Sequence, residues 1–113
     1  MQLELNREGA TLTAVLIGEL DHHAAGDLRS RIDTAALSCR CKRLILDLGR
    51  LTFMDSSGIG LMMGRYRLVQ SLGGQLTVVG ASPRIREMIR LAGLDTLPIW
   101  DKSTERTNVN ETR

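Results

Sequence analysis

Apolar positions along the chain switch repeatedly between a period of two and a period near 3.6, and each switch marks an element. Gln2 to Arg7 alternates polar and apolar residues, Glu8-Gly9-Ala10 carries a turn signal, and Thr11 to Gly18 alternates again through Leu12, Ala14 and Leu16. This predicts a β-hairpin. After Glu19-Leu20-Asp21-His22-His23, the residues Ala25, Leu28, Ile32, Ala35 and Ala36 recur at helical spacing, which predicts an amphipathic helix with Asp21 as its N-cap. Arg43 to Leu48 is short and nearly all apolar, the pattern of a central strand buried on both faces.

A long helix is predicted from Ser57 to Leu72, with Ile59, Met62, Met63, Tyr66 and Val69 on one stripe and Gly73-Gly74 ending it. Gln75 to Val79 reads as another strand. Ser82-Pro83 is a helix start, followed by Ile85, Met88, Ile89 and Ala92 and closed by Gly93. Leu97 to Trp100 is expected to form a last short strand, confined to an edge by Pro98. Alternating strands and helices after a hairpin argue for an α/β domain with a mixed, largely parallel sheet and about three helices.

With 113 residues the chain is expected to be one domain, over residues 1–100, followed by a polar, flexible tail over 101–113. Aromatic residues make up only 3%, so the interior must be aliphatic. A net charge of +2, with basic residues spread along the chain, gives no footprint for direct nucleic-acid binding. Apolar runs are too short for a membrane span, and the first residues lack the pattern of a secretory signal, so a cytoplasmic protein with no membrane partner is expected. Cys39-x-Cys41 has too few companions for a zinc site and reads as free thiols, and no cofactor or metal is expected.

Candidate chemistry gathers where strands end, because ligands of open α/β sheets collect outside the C-terminal strand ends. Two loops qualify, Glu19 to His23 and Phe53 to Ser57, and both are expected on one rim. Ser56 and Ser57 sit where a helix presents unpaired N–H groups and the positive end of its dipole, a setting that favours an anion. One of the serines could simply cap the helix, and Asp55 could cap it too. Gly58, Gly60 and Gly64 weaken the same helix by about 1 kcal/mol each relative to alanine. A close approach to the sheet, a partner or a phosphate would explain them. A phosphorylatable hydroxyl is the reading that accommodates these residues, with Ser56 and Ser57 equally placed by spacing alone.

Other chemistries fit less well. Asp55 as a phosphoryl acceptor would need further carboxylates for Mg²⁺ and a lysine, and the neighbouring loop offers only Glu19 and Asp21. Asp21-His22-His23 resembles a phosphoesterase motif, but these are the only two histidines in the chain and the metal reading lacks a companion cluster. Asp55-Ser56-Ser57-Gly58 lacks the glycine two residues before serine that a nucleophile elbow needs, so no catalytic residue is assigned and no enzyme is expected.

Gly18-Glu19-Leu20-Asp21-His22-His23, Phe53-Met54-Asp55-Ser56-Ser57-Gly58-Ile59-Gly60, Gly64-Arg65-Tyr66, Gly73-Gly74, Ser82-Pro83 and Ala92-Gly93-Leu94 together resemble the STAS-domain anti-sigma factor antagonists, most closely the sporulation members. The resemblance spans about residues 2–100 and implies a STAS-type fold. It implies an anti-anti-sigma factor whose unphosphorylated form binds an anti-sigma factor, itself a serine kinase carrying ADP or ATP, and so frees a sigma factor, with sporulation the expected circuit. It also selects Ser56, directly after the aspartate, as the phosphoacceptor, and implies a phosphoserine phosphatase that restores the active form. The expected contact surface is Asp21, His22, Asp55, Ser56, Ser57, Gly58, Ile59 and Gly60. A STAS subunit of another stress-signalling circuit and a weak nucleotide-binding protein are the alternatives.

Overall fold

The computed structural model describes residues 1–101. Its strands are β1 (Gln2–Glu8), β2 (Thr11–Leu20), β3 (Arg43–Met54) and β4 (Gln75–Val79), and its helices are α1 (His22–Cys39), α2 (Ser56–Ser71) and α3 (Pro83–Leu91). The sheet order is β1-β2-β3-β4, with β1 antiparallel to β2 and the other two pairings parallel. The predicted hairpin, helices and largely parallel sheet are therefore present.

Leu12, Ala14 and Leu16 of β2 and Leu44, Leu46 and Leu48 of β3 are buried along one sheet face. The helices supply Leu28, Ile32, Met62, Val69, Ile85 and Ile89 to the same core. β3 is not buried on both faces, as its apolar run suggested: Ile45 and Asp47 on the opposite face are only half-buried. The strand also runs six residues past Leu48, to Met54. Its pairing with β2 shifts register between Val15 and Ile17 and again between Gly18 and Glu19, so β3 carries extra residues that bulge. At the first bulge Gly49 N–H donates to Asp47 Oδ1 at 2.9 Å. Those bulges break strict alternation, which is why the second half of the strand was not legible.

The buried stripe of α2 is Gly58, Leu61, Met62, Arg65 and Val69, rotated from the predicted one; Ile59, Met63 and Tyr66 are only half-buried. A stripe drawn from apolar residues alone passes over a buried glycine and a buried arginine. Gly73, at φ 73°, and Gly74, whose N–H donates to Val69 O at 2.7 Å, close this helix as expected. Ser82 Oγ accepts from Ile85 N–H at 3.2 Å to start α3, and Gly93, at φ 81°, follows its end. Ala92, predicted on the apolar face of α3, is exposed. A 3-10 turn at Leu94–Thr96 comes next. The predicted last strand is reduced to one bridge, Val78 to Trp100, with Val78 N–H donating to Ile99 O at 2.6 Å. Pro98 has no N–H with which to extend that ladder. The tail beyond Asp101 lies outside the described residues.

Candidate functional site

The parallel register of β2 on β3 ends with Leu20 opposite Met54, so the two strands finish level. One residue then separates each strand from its helix, Asp21 before α1 and Asp55 before α2. Asp55 N–H reaches back to Leu20 O at 3.2 Å, tying the two junctions together. The two aspartates have nearly the same extended backbone, φ −116° and −109°. The two stretches expected on one rim are thus adjacent, though each is mostly strand end and cap with hardly any loop.

Asp21 Oδ1 accepts from His23 N–H at 3.0 Å and from Ala24 N–H at 3.1 Å, an N-cap as predicted. The hydrogen bond from Ala24 is the largest cause holding the Asp21 carboxyl below its ordinary pKa. Asp55 caps α2, with Oδ1 accepting from Ser57 N–H at 2.8 Å and its carbonyl accepting from Gly58 N–H at 3.0 Å. Neither serine is the cap. Asp55 already takes two first-turn donors that the sequence reading left open for an anion.

With the cap assigned, helical rotation separates the next three residues. Ser56 is exposed, Ser57 is half-buried and Gly58 is buried. A Cβ at Gly58 would run into Met54 Cγ and Sδ and come within 3.1 Å of Leu20 Cδ2. Gly58 therefore packs α2 against the sheet and faces away from the surface expected to meet a partner. Ile59 is half-buried and Gly60 exposed. His22 and His23 are exposed, with ring centroids 4.0 Å apart, and no group of three or more metal-ligating side chains forms among the described residues. Phe53 is 43% exposed on this rim, opposite Glu19 in the register. Phe53 is not among the rim residues singled out from the sequence, where a large ring beside the Asp55-Ser56 junction is the only feature that marks it.

The STAS domain model matches residues 2–108. The chain belongs to the STAS family. This STAS chain is 36% identical over 102 residues to the anti-sigma F factor antagonist of Paenibacillus polymyxa, covering 89% of this chain and 87% of that protein. Its fold is similar to that of the anti-sigma factor antagonist SpoIIAA in its unphosphorylated form, with a TM-score of 0.78 and 31% identity over 99% of this chain and 98% of that one. It is also similar to the Bacillus cell fate determinant SpoIIAA in the phosphorylated form, with a TM-score of 0.74 and 34% identity over 99% of this chain and 100% of that one. Among the described residues no helix of the STAS chain is long and apolar enough to cross a membrane.

Beside the rim, Ala25, Gly26 and Arg29 of α1 and Ser57, Gly60, Leu61, Gly64 and Arg65 of α2 bound a groove of about 340 Å³. Arg65 is only 5% exposed. Its Nε lies 2.8 Å from Asp33 Oδ1, but the N–H is not directed at that oxygen, so the contact is Coulombic and not a hydrogen bond. Burial, the largest cause, lowers the Arg65 pKa, and Asp33 opposes it. In the sequence Arg65 is marked only by its place in Gly64-Arg65-Tyr66. Its burial could not be read from a charged letter.

Proposed function

We propose that this chain is an anti-anti-sigma factor switched by phosphorylation of Ser56. In this reading the unphosphorylated protein binds an anti-sigma factor that is also a serine kinase, with ADP or ATP on the kinase, and so releases a sigma factor, sporulation being the expected circuit. A phosphoserine phosphatase resets the switch. The observation that carries the reading is the exposed Ser56 at the first position of α2, directly after the capping Asp55. The similarity to SpoIIAA, known in unphosphorylated and phosphorylated forms, supports it.

The chemistry asked of this chain is small. Ser56 Oγ attacks the γ-phosphorus of the kinase-bound ATP in line, the bond to the β–γ bridging oxygen breaks and ADP leaves, and the hydroxyl proton passes to a base on the kinase. A helix start holds that hydroxyl outward without a mobile loop. The product carries about −1.5 to −2 charges beside Asp55, with Asp21 at the adjacent junction. Water screens that charge in the free protein. Beneath a docked partner the phosphate loses its water and faces two carboxylates, so binding weakens. Asp21, His22, Asp55, Ser56, Ser57, Ile59 and Gly60, together with Phe53, form the contact surface, and Gly58 supports it from beneath.

The test is competition. Unphosphorylated protein added to a purified complex of the cognate anti-sigma factor and its sigma factor should displace the sigma factor, and protein phosphorylated on Ser56 should not. Displacement by both forms alike would refute the switch.

A further inference from the structure

The groove between α1 and α2 is lined by three glycines, Gly26, Gly60 and Gly64, and by two arginines, Arg29 and Arg65. A Cβ at Gly26, Gly60 or Gly64 would meet no atom within 4 Å. Gly60 and Gly64 lie inside α2, where glycine weakens a helix relative to alanine. Packing within the chain does not require them, since a methyl group would fit and strengthen the helix. What they provide is open space over the backbone.

The two arginines supply its positive charge. Arg65 Nη1 is buried with no hydrogen-bond partner among the described residues. Such a buried donor is costly to leave unmade. Arg29 is exposed on the same groove, forms no ion pair among the described residues, and lies near enough to oppose the charge of Arg65. Asp33 offsets one of these two positive charges, leaving one in excess.

We propose that this groove receives a carboxylate side chain, an aspartate or glutamate projecting from the anti-sigma partner. The proposal rests on the anti-anti-sigma reading above. Charge complementarity selects an anion, and a guanidinium matches a carboxylate in geometry as well as charge. A volume of about 340 Å³ admits a side chain and no whole helix. Ser57 and Gly60 stand at once on this groove and beside Ser56, so a partner docked on the rim covers the groove and excludes the water that would screen the pair. The surface then has two poles: Arg29 and Arg65 draw the partner in, and a phosphate on Ser56 drives it off.

Calorimetric titration of the purified cognate anti-sigma factor, loaded with ADP, tests this against wild type, Arg29→Glu and Gly64→Leu. Arg29→Glu reverses an exposed charge, and Gly64→Leu fills the groove, with a melting temperature expected at or above wild type. Both variants should bind roughly tenfold more weakly or worse, and raising the salt should weaken wild type more than Arg29→Glu. Wild-type affinity in both folded variants would overturn the socket while leaving the anti-anti-sigma reading intact. Failure of wild type to bind at all would sink that reading itself. Saturable binding of inorganic phosphate that Arg29→Glu abolishes without changing partner affinity would assign the groove to a free anion and overturn the proposal.

Discussion

Asp21 and Asp55 occupy the same position in two neighbouring strand-to-helix junctions, each the single residue between a parallel strand and the helix it caps. Their strands end in register at Leu20 and Met54, and Asp55 N–H bonds to Leu20 O at 3.2 Å. Two helix N-termini and two carboxylates are thereby fixed side by side beneath one exposed serine.

Loss of the Asp55 cap should be felt by α2 alone. Asp55→Ala leaves Ser57 N–H without its acceptor and should lower unfolding stability by about 1 kcal/mol in urea titration. Asp55→Asn, which keeps an acceptor oxygen, should recover most of that loss. Equal destabilisation by both would show that the cap geometry is not what Asp55 contributes.

At Asp21 the same geometry has a pH signature. Its folded-state pKa is depressed, chiefly by the hydrogen bond from Ala24 N–H. The stabilisation it gives is full above the unfolded carboxylate pKa of about 3.9 and is lost as pH falls through the lower folded value. Unfolding followed against pH in acid should therefore decline less steeply in Asp21→Asn than in wild type. Superimposable profiles would contradict the assignment.

Gly58 and Gly60 should respond oppositely to the same substitution. A methyl at Gly58 collides with Met54 and Leu20, so Gly58→Ala should destabilise by about 1–3 kcal/mol. Gly60 faces open space, so Gly60→Ala should stabilise by up to about 1 kcal/mol. Thermal unfolding of the two variants resolves the pair, and a shift of the same sign in both would overturn the packing described for α2.

Most of the chain order was legible because each element announces itself locally: alternation for the hairpin, Ser82-Pro83 for α3, and Asp21 at the start of α1. The missed features depend on contacts between elements. The bulges of β3 arise from its register with β2, the burial of Arg65 depends on Asp33 one helix away, and Trp100 bridges β4 at a single residue because Pro98 cannot donate. At the site, the resemblance points to Ser56, while the structure shows what spacing could not: with Asp55 as cap, Ser56 is exposed and Gly58 is buried. Phe53 escaped notice because its exposure follows from the end of a bulged strand.

The buried ion pair offers a further test. Asp33→Ala leaves the Arg65 guanidinium buried without its counter-charge and should cost about 2–4 kcal/mol, the lower end reflecting the partial exposure of Asp33. Arg65→Met combined with Asp33→Ala should be more stable than Asp33→Ala alone, because no buried charge remains uncompensated. A double variant less stable than the single one would mean that Arg65 contributes through contacts other than this pair.

Charge at Ser56, and not loss of its hydroxyl, should control binding. Ser56→Ala should keep the affinity of the unphosphorylated protein for the anti-sigma factor, and Ser56→Asp should fold normally yet bind at least roughly tenfold more weakly. Equal calorimetric affinities for the two would refute repulsion as the basis of the switch.

The most direct measurement is the position of the phosphate. After incubation with the cognate anti-sigma factor and ATP, peptide mapping by mass spectrometry should find one acid-stable phosphate, on Ser56. Phosphate on Ser57, an alkali-labile acyl phosphate on Asp55, or no phosphate at all would contradict the account.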